Sequence, residues 1–217
     1  MHGNDRLEEA ARQNAGSEGD SARGNSRKPM RRASARSVAY VGMTVALLAV
    51  SAWVAVPLGP VPFTLQTFVL AFAVLVLRPS ECLASLGAYL LLGAIGVPVF
   101  SGMRGGIGML AGPTGGFLWG FLLGAAAAQL VLRLLSPKGD RFDFARGFAA
   151  CLACLLVSYA CGCAQLMLVA GMGPLPAFFT AIAPFIVPDL VKLAVAVAVA
   201  QAVRRALPSL RKASARR

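Results

Sequence analysis

The chain has 217 residues, 57% of them hydrophobic and only 14% charged, with a mean hydropathy of +0.69. Soluble globular domains carry about 45–50% apolar and about 25% charged residues, so this composition excludes an ordinary water-soluble domain and points to lipid as the solvent. The formal net charge of +12 does not imply nucleic acid as a partner, because the basic residues cluster around apolar segments rather than forming a stripe on one surface.

Eight of the 21 Lys and Arg residues fall in the first 36 positions, from Arg6 to Arg36, and six more close the chain, from Arg204 to Arg217. Residues 1–36 are polar, with several Gly and Ser, and lack the apolar core and small-residue cleavage site of a signal peptide. They are expected to form a disordered cytoplasmic tail, matched by a basic tail over 207–217. The membrane domain is expected over 37–206.

Six apolar runs follow in order. The first extends from Val38 to Val56 and stops at Pro57, since the segment Pro57-Leu58-Gly59-Pro60-Val61-Pro62 cannot continue a helix. The second covers Phe63 to Leu77 and ends at Arg78-Pro79. The third covers Cys82 to Val97, before Pro98. A Gly-rich stretch, Gly102 to Gly116, separates it from the fourth, Phe117 to Leu135. The fifth is Phe148 to Val169 and the sixth Phe185 to Val203. A bilayer core about 30 Å thick needs about 20 helical residues; the first, fourth, fifth and sixth runs meet that, and the second and third are short. The expected architecture is an all-α integral membrane protein, a bundle of six transmembrane helices.

Basic residues set the orientation. Arg78 follows the second run, and Arg133, Lys138, Arg141 and Arg146 surround the end of the fourth, whereas the connections after the first and fifth runs carry no Lys or Arg. An even span count then places both tails and these connections on one side, which the positive-inside rule assigns to the cytoplasm. A location in the cytoplasmic membrane follows.

Five cysteines lie in apolar runs, with Cys151 and Cys154 at CxxC spacing. The sole histidine is His2, and no carboxylate lies in the run that carries four of them. They read as small helix-packing residues, with no metal site and no cofactor. Nor is there a Ser/His/Asp arrangement or an ATP-binding loop, so no enzyme activity is expected.

The feature that calls for a function is Asp189 and Lys192, a carboxylate and an ammonium at i, i+3 near the start of the sixth run. A charge inside a span costs about 2.5–3.5 kcal/mol or more, so intramembrane charges pair, face the interior and mark substrate paths. The alternative is a mutually neutralising packing pair. The Gly-rich stretch permits close backbone approach, either to a ligand or simply within a tight outer loop. Arg104, the only basic residue expected on the outer face, could draw a carboxylate or be solvated. Gly42, Ala46 and Ala49 put small residues on the first run, a spacing that lets another helix approach closely, within the bundle or in a partner.

Four blocks carry a resemblance. Pro60-Val61-Pro62-Phe63-Thr64-Leu65-Gln66-Thr67, Gly96-Val97-Pro98-Val99-Phe100, Gly112-Pro113-Thr114-Gly115-Gly116-Phe117 and Pro184-Phe185-Ile186-Val187-Pro188-Asp189-Leu190-Val191-Lys192 resemble, in order, the blocks of the BioY family. These are biotin-specific substrate-binding (S) components of energy-coupling factor (ECF) transporters. The resemblance covers about residues 36–205; the family often has Tyr in place of Phe117 and Gly in place of Pro188. It implies a six-helix bundle of S-component type, holding biotin in an outward-facing pocket capped by the loop between the first two spans. It also implies docking to a transmembrane coupling protein and two ABC-type ATPase subunits, with Gly42, Ala46 and Ala49 at the contact; a homo-oligomer is a separate expectation, not part of the resemblance. On this reading Asp189 and Lys192 meet the ureido ring, and Phe63, Tyr89 and Phe100 cover the apolar parts of the ligand. Gln66, Thr64 and Tyr159 add polar contacts, and Arg104 or the backbone of the Gly-rich loop meets the carboxylate. The rival readings are an S component for another vitamin and a structural or assembly membrane protein without a small ligand.

Overall fold

Lipid cannot satisfy backbone N–H and C=O groups, so an apolar run in a bilayer has one local solution, the α-helix, in which each segment pairs its own polar groups. The computed structural model describes residues 35–56, 61–135 and 143–206. The expected tails up to Ser34 and from Leu207 onward, the Pro57–Pro60 segment, and Lys138 and Arg141 lie outside the described residues. Each of the six expected runs contains a helix.

In chain order, helix α1 covers Ala35–Trp53, strand β1 Ala55–Val56, strand β2 Phe63–Thr64, α2 Gln66–Val76, α3 Pro79–Ala94 and α4 Ile107–Ala111. Then come α5, Gly115–Leu134, α6, Phe144–Ala170, α7, Pro174–Ala181, a 3-10 turn over Ala183–Phe185, and α8, Ile186–Ala206. Four stretches are long and apolar enough to cross a membrane: Ala35–Trp53, Gly115–Leu134, Phe144–Ala170 and Pro174–Ala206. The short α2, with 11 residues, reaches only about 17 Å at 1.5 Å per residue.

Three boundaries moved for identifiable reasons. α1 ends three residues before Val56, because β1 and β2 pair antiparallel, with Ala55 opposite Thr64 and Val56 opposite Phe63; a residue before proline also resists helical geometry. α3 begins three residues before Cys82, with Pro79 at its first turn, where its missing N–H costs nothing. There Glu81 accepts from the Arg78 backbone N–H at 3.3 Å and from Ser37 Oγ at 2.6 Å, which ties the start of α1 to the start of α3. The third is the start of α8, at Ile186 rather than Phe185, because a 3-10 turn over Ala183–Phe185 precedes it; Pro188 sits inside the first turn, where no intrahelical N–H bond exists to be lost.

α5 and α6 form the most extensive helix pair, and α2 on α8, α1 on α3 and α3 on α5 complete the bundle. The α5–α6 seam is closed by glycine: a methyl group at Gly120 would stand 2.6 Å from the Ser158 Cα, and one at Gly124 would meet the Cys154 carbonyl. These helices touch backbone to backbone, the arrangement that gains dispersion energy where no hydrophobic drive separates helix from lipid. The cysteines take part in this packing. Cys154 lies under Gly124, and the Cys151 thiol points to the Ala71 carbonyl of α2 at 3.8 Å. Among the described residues no group of His, Cys, Asp or Glu is arranged to hold a metal ion. Buried Gln129 of α5 donates to the Val74 carbonyl of α2 at 3.0 Å, and Arg146 of α6 donates to the Leu132 carbonyl at the end of α5.

The small-residue stripe of α1 is divided. Gly42 and Ala46 are exposed, whereas Ala49 is buried with Thr44, Val45, Leu48, Ser51 and Ala52. The stripe runs along the edge of the buried arc, so Ala49 packs within the bundle and only Gly42 and Ala46 remain on the outside.

Candidate functional site

The charged pair lies in the first two turns of α8, and its i, i+3 spacing puts both groups on the face that meets α2 and α6. Lys192 Nζ stands 2.8 Å from Asp189 Oδ1, and both residues are buried, Asp189 at 4% exposure and Lys192 at 9%. Neighbouring helices complete the set. Tyr159 of α6 donates to Asp189 Oδ2 at 2.7 Å, and Thr67 of α2 donates to Asp189 Oδ1 at 3.0 Å. Lys192 Nζ donates to the Thr64 carbonyl at 2.6 Å and to Thr67 Oγ1 at 3.3 Å, and it lies 3.6 Å from the centre of the Phe63 ring. A buried ion pair is held against its desolvation penalty only by such additional bonds, and here every ammonium proton has an acceptor.

This cluster forms one part of the wall of a cavity with about 700 Å³ of empty space, counting its open mouth. The β-hairpin and α2 supply Val61, Pro62, Phe63, Thr64, Gln66 and Thr67; the loop after α3 supplies Phe100 and Ser101; α4 supplies Met109. Thr114, Phe117, Leu118 and Phe121 come from the start of α5, Leu155, Ser158 and Tyr159 from α6, and Ala181, Phe185, Asp189 and Lys192 from the end of α7 onward. An apolar enclosure with a few convergent polar groups is the usual form of a small-molecule site.

Seven of the nine substrate-site residues expected from sequence meet at this cavity: Asp189, Lys192, Gln66, Thr64, Phe63, Phe100 and Tyr159. Two do not. Tyr89 is fully buried one layer behind the wall, where its hydroxyl accepts from Gln66 Nε2 at 2.7 Å and donates to the Val99 carbonyl at 2.9 Å. It sits there because α3 turns that face to α2 and to the loop, and its ring meets Phe100 edge-on at 5.4 Å. Arg104 is exposed and outside the lining; its backbone pairs with that of Phe100 across a tight turn. The ring of Phe100 occupies the space a side chain on Gly93 would need, which explains a glycine inside α3.

Sequence reasoning missed Thr67, the hydroxyl that touches both charged groups, as well as Ser158, Thr114, Phe117, Phe121 and Phe185 in the lining. Thr67 carried a signal, its place beside Gln66 in the first of the four blocks. The others sit in runs whose apolar character hides which face turns inward.

Comparisons with known proteins agree with this architecture. The chain is 40% identical over 161 residues to the biotin transporter BioY of Thermotoga maritima, covering 74% of this chain and 91% of the relative. It is 40% identical over 166 residues to the probable biotin transporter BioY of Pyrococcus horikoshii, covering 75% and 92%. It is 35% identical over 184 residues to the biotin transporter BioY of Rhodobacter capsulatus, covering 80% and 96%. The fold resembles the crystal structure of the S-component for biotin from an ECF-type ABC transporter, with a TM-score of 0.72 at 24% identity over 78% of this chain and 91% of that one. The chain is a multi-pass membrane protein, and the sequence pattern of the BioY family matches it over residues 25–209. It belongs to the BioY family.

Proposed function

We propose that this protein binds biotin in the cavity between α2, α5, α6 and α8, and serves as the substrate-specific S component of an ECF-type transporter. The observation that carries the reading is the buried Asp189–Lys192 pair in the wall of an otherwise apolar enclosure, in a chain 40% identical to named biotin transporters. The ureido ring of biotin has two N–H donors and one carbonyl acceptor. An ionised carboxylate offers about four acceptor positions; Asp189 uses two at Oδ1 and one at Oδ2, which leaves room at Oδ2 for a ligand N–H. The longest of the three Lys192 bonds is the 3.3 Å one to Thr67, and a ligand carbonyl is the natural replacement for it. Phe117, Phe121, Leu118 and Leu155 suit the thioether ring and the valeryl chain. The protein performs no chemistry of its own.

The cavity is built from the starts of α5 and α8, the later half of α6 and the α1–α2 hairpin. Arg78, Arg133, Arg146, Arg204 and Arg205 mark the opposite end of those helices. With the basic ends and both termini cytoplasmic, the cavity opens to the outside and the hairpin lies over it. Energy for uptake comes from a coupling protein and two ATPase subunits, and the exposed Gly42 and Ala46 of α1 allow the coupling protein to approach closely.

The test is equilibrium binding of labelled biotin to the purified chain in detergent. Saturable binding that Lys192→Met and Asp189→Asn each weaken, while both variants remain monodisperse, supports the reading. Competition by riboflavin or thiamine would move it to another vitamin, and a folded chain without affinity for any of them would leave a structural membrane protein.

A further inference from the structure

Tyr89 lies outside the cavity, yet it holds two parts of the cavity wall, and its hydrogen bonds have a determined direction. The Val99 carbonyl can only accept, so the Tyr89 hydroxyl spends its one proton there, at 2.9 Å. Its oxygen is then an acceptor, and it takes an N–H from Gln66 Nε2 at 2.7 Å. That settles the orientation of the Gln66 amide, which follows from its hydrogen-bond network. The amide nitrogen turns to Tyr89, and Oε1 turns to the Thr64 hydroxyl, which donates to it at 3.2 Å while accepting from the Gln66 backbone N–H at 3.4 Å. One unbroken chain of donors and acceptors thus runs from the β-hairpin through α2 and α3 to the loop that carries Phe100. Gln66 is 4% exposed and lines the cavity, so a reversed amide would present the wrong atom to a ligand and set its oxygen against the Tyr89 oxygen.

We infer that Tyr89 is a positioning residue for ligand recognition, acting through Gln66: it fixes which end of the buried amide faces Thr64 and which remains a donor. This rests on the proposed biotin site. Its phenyl ring packs on Phe100 and its hydroxyl orients Gln66, so the two roles separate in Tyr89→Phe, which keeps the ring.

The experiment is biotin binding to the full chain and to Tyr89→Phe, Gln66→Ala and the double variant. Removing one neutral buried hydrogen bond is expected to weaken binding by about fivefold to tenfold in Tyr89→Phe. In the Gln66→Ala background the same change is expected to cost less than about twofold, because the group through which it acts is gone. Equal weakening in both backgrounds, or none in either, overturns the inference. A second measurement needs no ligand: the side-chain amide resonance of Gln66 in the nitrogen-15-labelled protein, identified by its loss in Gln66→Ala. It is expected to be shifted and protected from water in the parent and to lose both features in Tyr89→Phe; an unchanged resonance overturns the inference. Should Tyr89→Phe fail to fold, Gln66→Glu replaces the amide donor with an acceptor at constant shape, and unaltered binding in that variant overturns it as well. A parent chain that binds no biotin would defeat the proposed function, and the amide resonance would still decide the role of Tyr89.

Discussion

The α5–α6 seam and the α2–α8 seam hold the same bundle together by opposite means. The first brings backbones into contact through Gly116, Gly120 and Gly124, with small residues such as Cys154 and Ser158 facing them. The second carries Thr67, Asp189 and Lys192, joined by Tyr159 from α6, in a network whose charged groups are all partnered. Dispersion between close surfaces is complete without a ligand and resists change in volume. A polar network is satisfied only as a set, so it is sensitive to the loss of any one donor and can exchange a bond with an incoming ligand. The protein thus uses an unyielding contact to join α5 to α6 and an exchangeable one to join α2 to α8 in the cavity wall.

The two seams differ most in their response to substitution at Asp189. Asp189→Ala leaves a buried ammonium without its counter-charge and is expected to cost about 3–5 kcal/mol of stability, read as a lowered unfolding midpoint in detergent. Asp189→Leu combined with Lys192→Met should recover much of that midpoint while abolishing biotin binding, which separates the structural use of the pair from its proposed ligand-binding use.

At the other seam, Gly120→Val is expected to lower stability by about 1–3 kcal/mol through overpacking. Affinity measured on the protein that remains folded should fall less than stability does, since Gly120 is not itself in the cavity lining and reaches it only through Ser158. A large loss of affinity at unchanged stability would show that the two seams are not independent.

A smaller effect sharpens the polar seam. Thr67→Val removes the hydroxyl between the charged groups at nearly constant shape, and about 1 kcal/mol of binding free energy should go with it. Thr67→Ser restores the hydroxyl and should restore the affinity in the same titration. The smallest effect is expected at Arg104. Arg104→Ala should leave biotin affinity within experimental error, because the side chain is exposed and outside the cavity.

Much of the site was readable before the structure because charge is conspicuous in an apolar run. Asp189 and Lys192 stand out against their surroundings, and the first block brought Phe63, Thr64 and Gln66 with them. Thr67 was harder to single out, since a threonine in a helix commonly satisfies itself on its own backbone; its role rests on α8 lying against α2. Tyr89 and Arg104 fall outside the cavity lining for a related reason. Residue type shows that a tyrosine or an arginine can contact a ligand, and only the packing of α3 and the turn at Phe100 shows where each one faces.

The solvent, the number of apolar runs, their approximate ends and the presence of a charged pair inside the last are all legible in the residues alone. These follow from local quantities, namely hydropathy over about 20 residues, proline at the breaks and the cost of charge in lipid. Tertiary structure decided the short helices α4 and α7, the β-hairpin after α1, the burial of Ala49 and the layer to which Tyr89 belongs. Lipid and neighbouring helices are equally apolar solvents for a helix surface, so hydropathy does not distinguish the inward face from the outward one. That distinction arises only where one helix meets another, as at Gly120 against Ser158 and at Thr67 against Asp189.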